Sequence, residues 1–281
     1  MDKYCLIGHP LGHSMSPQIH TRLFELSGKT IEYTLQDISP EELNSKKEFL
    51  SGMKGFNITI PHKVAIIDYC DELDASAKRY NSVNCIKNGN KKIGYNTDCV
   101  GFVKSIEMMG ASLNSKVLTI GCGGVGRMIA IEAALSGAEL AIAALTSDIP
   151  LAEKVVEEIH AQKSDACVEI VEIPASGLTA ACLGDKTFDL LINACPVGMF
   201  PKCDRMPCSE DVVDKVDAVF DVIYNPKETL LAKTAREKGK KSLCGMAMLV
   251  LQAVAAHEIW YGASFNKEDI TKLITDMENS L

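Results

Sequence analysis

Gly121-Cys122-Gly123-Gly124-Val125-Gly126-Arg127 follows an apolar run of strand length, Lys116-Val117-Leu118-Thr119-Ile120, and precedes a stretch rich in Ile, Ala and Leu over 128–135. Strand, glycine turn and helix in that order are the context in which G-x-G-x-x-G marks a dinucleotide site instead of an ordinary tight turn. Gly121 permits the turn, and Gly123 lets backbone approach a pyrophosphate with no Cβ in the way. Gly126 lets helix lie close on strand, and the phosphates then sit at the positive N-terminal end of that helix. Cys122, Gly124 and Val125 complete the expected lining.

The pattern continues downstream. Candidate strands at 116–120, 139–144, 167–173, 188–193, 217–222 and 240–243 alternate with helical segments, which predicts an α/β fold with a doubly wound parallel sheet. Ligands of such sheets collect outside the carboxyl ends of the strands. Asn193-Ala194-Cys195-Pro196-Val197-Gly198-Met199 falls at one such end, and Asp221-Val222-Ile223-Tyr224-Asn225-Pro226 at the next. The segment 245–260 reads as a helix with a single polar residue, Gln252, between Met246 and Ala256. A helix apolar on nearly all sides is buried between layers, and Gln252 is expected to point into a cleft. An amphipathic helix follows at 267–277.

A chain of 281 residues suggests about two domains. Its 47% hydrophobic and 23% charged residues are ordinary for a globular protein, and a net charge of −8 argues against a nucleic-acid partner, which needs a basic face. The eleven cysteines are scattered, with no C-x-x-C, so no metal site is expected. Residues 1–8 lack the apolar core of a signal peptide, and the longest apolar run, 246–251, falls far short of the ~20 residues that span a bilayer. The expectation is a reduced, cytoplasmic protein with free thiols and no membrane partner.

In the first hundred residues, 4–7 is a short strand, ended by the loop Gly8-His9-Pro10-Leu11-Gly12-His13-Ser14-Met15-Ser16-Pro17. Gln18 onward is helical, with Ile19, Leu23 and Leu26 on one face, so Ser16 stands at the N-cap position. Ser14 and Ser16 would otherwise serve loop and cap, yet both are also good donors to a carboxylate. A strand at 31–35 and a helix at 40–50 come next. In Gly55-Phe56-Asn57-Ile58-Thr59-Ile60-Pro61-His62-Lys63, Pro61 ends a strand, leaving Thr59 at its end and Lys63 in the first turn of the next helix. A lysine there opposes the positive helix end, so it is either a solvated surface residue or a functional one. Residues 83–86 and 92–95 form a hairpin around Asn88-Gly89-Asn90, after which Asn96-Thr97-Asp98 opens a helix over 100–109. Asp98 either caps that helix or partners a lysine.

Taken together, these segments resemble the shikimate dehydrogenase family nearly end to end. Gly8-x-Pro-Leu-x-His-Ser14-x-Ser16-Pro17-x-x-His20 looks like its substrate loop, and Asn57-Ile-Thr59-Ile-Pro61-x-Lys63 like its catalytic lysine segment. Val83-Asn84, Gly94-x-Asn96-Thr97-Asp98-x-x-Gly101, Asn193-Ala-Cys-Pro196-x-Gly198-Met199, Asp221-x-x-Tyr224-Asn225-Pro226 and Gly245-x-x-Met248-Leu-Val-x-Gln252-Ala253 match further signatures in the right order. The resemblance implies reversible NADP-linked reduction of 3-dehydroshikimate to shikimate, with Lys63 and Asp98 as the catalytic pair. Ser14, Ser16 and Tyr224 would hold the substrate carboxylate, and Thr59, Asn84, Asp98 and Gln252 the ring hydroxyls. Gly121, Cys122, Gly123, Gly124, Val125, Thr146, Val222 and Gly245 would meet the cofactor. The implied architecture is a substrate domain, 1–101 completed by 245–281, and a Rossmann domain, 102–244, with a cleft between them; the implied assembly is a monomer or homodimer.

The sequence departs from that family after the second nucleotide strand. NADP-using members usually carry Asn-Arg-Thr there, whereas this chain has Ala144-Leu145-Thr146, so a neutral side chain faces the 2′-phosphate position. No acid ends the strand as an NAD site would like. Thr146 and Ser147 could bond either cofactor, and Asp148 could reach a ribose hydroxyl or cap the next helix. NADP is the family default and NAD the competitor. Cys195 replaces a usual threonine, and His257 stands where an aromatic residue is common, a packing or surface position. Two alternatives stay open: a quinate/shikimate dehydrogenase using NAD, against which the paired serines speak weakly, and a redox-inactive shikimate-binding homologue.

Overall fold

The structure, a computed structural model, describes residues 2–12 and 14–281; His13 of the expected substrate loop lies outside the described residues. The chain opens with β1 (Tyr4–Gly8), buried at all five positions, as suits a strand covered on both faces. In α1 (Ser16–Leu26) Ile19, Leu23 and Phe24 form one buried stripe. There follow β2 (Tyr33–Asp37), α2 (Lys47–Ser51), β3 (Gly55–Ile58), β4 (Glu72–Leu73), α3 (Ala75–Tyr80), β5 (Cys85–Asn88), β6 (Lys92–Tyr95) and α4 (Asp98–Met108). The strands form one mixed sheet in the order β2-β1-β3-β5-β6-β4. β1 runs parallel to β2 and β3, while β3, β5 and β6 form antiparallel neighbours.

Three local expectations change. The second strand begins at Tyr33, two residues later than expected from 31–35. The helix expected over 40–50 is reduced to α2, preceded by turns. Ser39 N donates to the Glu42 carboxylate at 3.1 Å and Ser45 Oγ to Glu42 O at 2.8 Å, local bonds that compete with the helical ladder. Lys63 is not in the first turn of an α-helix; it sits in a turn ahead of a 3-10 segment, Ala65–Tyr69. Its carbonyl accepts from Val83 N at 2.7 Å, so it is already engaged outside the local turn. α3 was not anticipated, although Asp74 caps it through Ser76 N and Asn81 ends it in the left-handed region at φ 47°.

From β7 (Lys116–Ile120) the chain alternates as the spacing predicts: α5 (Gly124–Leu135), β8 (Glu139–Leu145), α6 (Ile149–Gln162), β9 (Cys167–Ile173), α7 (Ala180–Leu183), β10 (Phe188–Asn193), α8 (Glu210–Asp214), β11 (Val216–Asp221), α9 (Leu230–Glu237) and β12 (Lys241–Cys244). These six strands are all parallel, in the order β12-β11-β10-β7-β8-β9. Counted from β7 as first, that is 6-5-4-1-2-3, the doubly wound dinucleotide-binding arrangement, whose order reverses beside β7. Leu118, Leu191 and Val219 are fully buried in its core.

The last elements are α10 (Met246–Tyr261) and α11 (Lys267–Glu278). Ala256 and Trp260 of α10 cluster with Tyr4, Leu6, Phe24 and Tyr33, and Trp260 Nε1 donates to Ile86 O at 3.0 Å. That burial accounts for a helix with so little polar surface. Contacts divide the chain into one unit of 1–101 with 249–277 and another of 102–248 with 278–281. Among the described residues, no helix is long and apolar enough to cross a membrane.

Candidate active site

Four segments of the first unit supply Lys63, Asn84, Asp98 and Gln252: the turn after β3, the bend before β5, the start of α4, and α10. Lys63 Nζ donates to Asp98 Oδ2 at 2.6 Å, with the side chains 26% and 19% exposed, so the pair is shielded yet reachable from solvent. Asn84 Nδ2 donates to the other carboxylate oxygen at 2.7 Å, and Asn84 Oδ1 accepts from Thr97 N at 2.6 Å. Asp98 is therefore held through both oxygens, and its backbone N–H is taken by Asn96 Oδ1 at 3.1 Å. Thr97 Oγ1 donates to Gln252 Oε1 at 3.3 Å, and Gln252 Nε2 donates to Leu249 O at 2.8 Å. Gln252 is buried, at 9% exposed, and reaches this polar cluster. Thr59 directly follows β3, where its N–H donates to Ile7 O at 2.9 Å.

The serines lie before and at the start of α1. Ser16 is its first residue and does not cap it; Met15 occupies the cap position, and Ser14 Oγ accepts from Ser16 N at 3.2 Å. Sequence reasoning missed the residue that ties this loop down. Asp37, at the end of β2, accepts from Leu11 N at 2.9 Å and bonds the His9 ring at 2.7 Å. The His9 bond comes first among the causes that hold the Asp37 carboxyl below its ordinary value.

In the second unit, the glycine turn has the shape a pyrophosphate needs. Gly121 adopts φ +96°, and a Cβ on Gly126 would stand 2.3 Å from the Gly121 carbonyl oxygen. Cβ atoms on Gly123 or Gly124 would meet nothing within 4 Å, which leaves open space at the start of the twelve-residue α5. Open backbone at a helix N-terminus fits a diphosphate. Cys122 is buried, with its thiol 3.8 Å from Asp148 O, while Val125 is exposed. Gly126→Val is expected to force the turn open, lowering the melting temperature of this unit and weakening dinucleotide binding at least about tenfold, as overpacking against backbone does; calorimetric titration and thermal melts check it.

The neighbouring strand ends are braced by Asp221. Asn193 Nδ2 and Ile223 N donate to its Oδ1 at 3.0 and 3.1 Å, and Thr229 Oγ1 donates to Oδ2 at 2.8 Å. Burial pushes this carboxyl up to about 6 against the lowering effect of those bonds. Val222 and Tyr224 follow β11 and are half-buried. A Cβ on Gly245 would lie 2.0 Å from Val222 O, so the two expected cofactor residues meet backbone to backbone. At the end of β8, Leu145 is 51% exposed and Thr146 donates to Glu172. Asp148 does not cap α6 through its side chain. Arg127, in the first turn of α5, donates from Nε to Glu158 at 2.7 Å. Among the described residues no cluster of His, Cys, Asp and Glu could hold a metal ion.

The family described as shikimate dehydrogenase substrate binding domain matches residues 6–86. A shikimate dehydrogenase (NADP(+)) of Caldanaerobacter subterraneus subsp. tengcongensis is 38% identical over 277 residues, covering 96% of this chain and 95% of its own. The chain belongs to the shikimate dehydrogenase family. As a shikimate dehydrogenase family member it is an oxidoreductase that acts on an alcohol group. Its fold matches a shikimate dehydrogenase solved with NADP+, at TM-score 0.85 and 34% identity, covering 98% of this chain and 95% of the other. It also matches the shikimate 5-dehydrogenase of Listeria monocytogenes solved with shikimate and NAD, at TM-score 0.84 and 27% identity, covering 97% and 96%.

Proposed function

We propose that the protein interconverts shikimate and 3-dehydroshikimate, with a nicotinamide dinucleotide held by the turn 121–126 and Lys63 as general acid and base. The 2.6 Å contact between Lys63 Nζ and Asp98 Oδ2, with Asn84 fixing the far carboxylate oxygen, carries this reading. The dinucleotide supplies or accepts the hydride when bound. Addition of hydride to a ketone builds negative charge on oxygen, and the Lys63 ammonium gives that oxygen a proton as it forms; in the reverse direction the amine takes the hydroxyl proton back. Asp98 accepts from Nζ and so aims the remaining ammonium hydrogens away from itself. Ser14 and Ser16 donate to the substrate carboxylate. Thr59, Asn84, Asp98 and Gln252 bind the ring hydroxyls.

Initial rates with shikimate, followed by reduced-nicotinamide absorbance with NADP and NAD in parallel, test the reading. No rate with either cofactor despite shikimate binding would leave a redox-inactive binding homologue. Quinate as substrate tests the remaining alternative, since its extra C1 hydroxyl must fit beside Ser16. Asp37→Ala should free the loop 9–11 and raise KM for shikimate by about tenfold, the scale of one charge-assisted hydrogen bond, with kcat little changed. Steady-state kinetics at fixed cofactor checks it, and an equal loss in kcat would assign Asp37 a different role.

A further inference from the structure

The end of β8 is where a doubly wound domain reads the adenosine ribose: an acid there accepts from the 2′-hydroxyl of NAD, and an arginine there meets the 2′-phosphate of NADP. β8 itself ends in the uncharged Leu145. The acid comes from the adjacent strand. Glu172 of β9 lies opposite Ala144, and its Oε1 accepts from Thr146 Oγ1 at 2.7 Å. Ser147 Oγ donates in the same way to Asp148 Oδ1 at 3.2 Å. Both hydroxyls that follow the strand therefore spend their single proton on a carboxylate, and what they retain is lone pairs. Arg127, in the first turn of α5, gives Nε and Nη2 to Glu158 at 2.7 and 2.5 Å.

The strand end thus combines hydroxyl acceptors with the carboxylates of Glu172 and Asp148. A ribose 2′-hydroxyl can donate to such a surface. A 2′-phosphate carries close to two negative charges and only acceptor oxygens, so it meets repulsion from both carboxylates and finds both hydroxyl protons already taken. We infer that the Thr146–Glu172 pair sets the cofactor choice, making the protein prefer NAD to NADP with Glu172 as the discriminating side chain. This rests on the dinucleotide reading above and extends it to the adenosine end.

The test is calorimetric titration of the full chain, without substrate, with NAD+ and NADP+ and with the fragments 5′-AMP and adenosine 2′,5′-bisphosphate. NAD+ is expected to bind at least about tenfold tighter than NADP+, with the fragments ordered likewise. Glu172→Gln should tighten NADP+ several-fold and move NAD+ little, and Leu145→Arg should do the same by adding a cation. Both positions are exposed, so neither change threatens the fold. Tighter binding of NADP+ by the unaltered protein, or an equal effect of Glu172→Gln on both dinucleotides, overturns the inference. Binding of neither dinucleotide overturns it together with the nucleotide reading. NAD+ selectivity without shikimate turnover upholds it while the substrate reading falls.

Discussion

Lys63→Ala is expected to lower kcat by about 10²–10⁴ while KM for shikimate changes modestly, because in the proposed role the lysine acts on charge that exists only as the hydride moves. The partners of Asp98 explain why the loss should fall on turnover. With Lys63 gone, Asn84 still donates to one oxygen of Asp98 and Asn96 still accepts its N–H, so the side of the cluster proposed to bind ring hydroxyls keeps its geometry. What disappears is the proposed proton donor. Lys63→Arg should not rescue the rate, since a guanidinium keeps its proton and spreads its charge over a plane. Asp98→Asn should cost both parameters, because it removes the partner that aims Nζ and an acceptor proposed for a ring hydroxyl. Steady-state rates in both directions, with shikimate binding measured separately, check these expectations. A Lys63→Ala protein with near-normal turnover would remove Lys63 from the mechanism.

How far the sequence carried this reading depended on whether a signal was local. The glycine turn, the six-strand alternation and the hairpin rest on short-range spacing, and the structure has all three, although the hairpin's first strand lies at Cys85–Asn88, two residues later than the expected 83–86, and its turn at 89–91. That Asp98 could partner a lysine was legible, and Lys63 is that partner, yet the helix assigned to Lys63 was not there, because its carbonyl is taken by Val83, twenty residues downstream. The helix expected at 40–50 failed for a local reason, in the serines that bond around Glu42. Asp37 and Glu172 were invisible for another reason. Each acts on a loop leaving a neighbouring strand, and which strands neighbour, in what register, is decided by tertiary pairing. Asp37 lies beside Gly8, and Glu172 beside Ala144. His20 and His257 carry the point furthest: 237 positions apart, they meet in the core.

That histidine pair should make the first unit acid-sensitive. His20 Nδ1 and His257 Nε2 lie 2.9 Å apart, both residues are fully buried, and His20 stacks on Tyr33 at 4.1 Å. So His257, expected at a packing or surface position, proves to be core. Tyr261 OH donates to Ser27 Oγ, which itself donates to Leu23 O, so the 2.6 Å contact of Tyr261 with His257 Nδ1 requires the proton on that nitrogen. His257 Nε2 then accepts from His20 Nδ1, and His20 Nε2 is left without a partner. A second proton on either ring would find no acceptor, since His20 Nε2 has no partner and His257 Nε2 faces His20 Nδ1. Burial lowers His257 to about 3 and, helped by the nearby His257, lowers His20 well below its ordinary value. The unfolded chain protonates both near pH 6.5 while the folded chain does not, so below that pH the unfolded state binds more protons and stability falls as pH falls. Two such groups make the slope about 2.7 kcal/mol per pH unit, or about 4 kcal/mol between pH 8 and pH 5, a large share of the usual stability of a domain. Asp221 in the second unit works in the opposite sense: its raised pKa means the folded state gains protons as pH drops through about 6, which stabilises that unit until the ordinary carboxylate range is reached. Thermal melts at pH 8 and pH 5 should therefore show the first unit losing stability more steeply than the second, and His257→Phe should roughly halve the first unit's dependence. A melting temperature for that unit that holds steady from pH 8 to pH 5 would mean that the buried pair accepts a proton in the folded state.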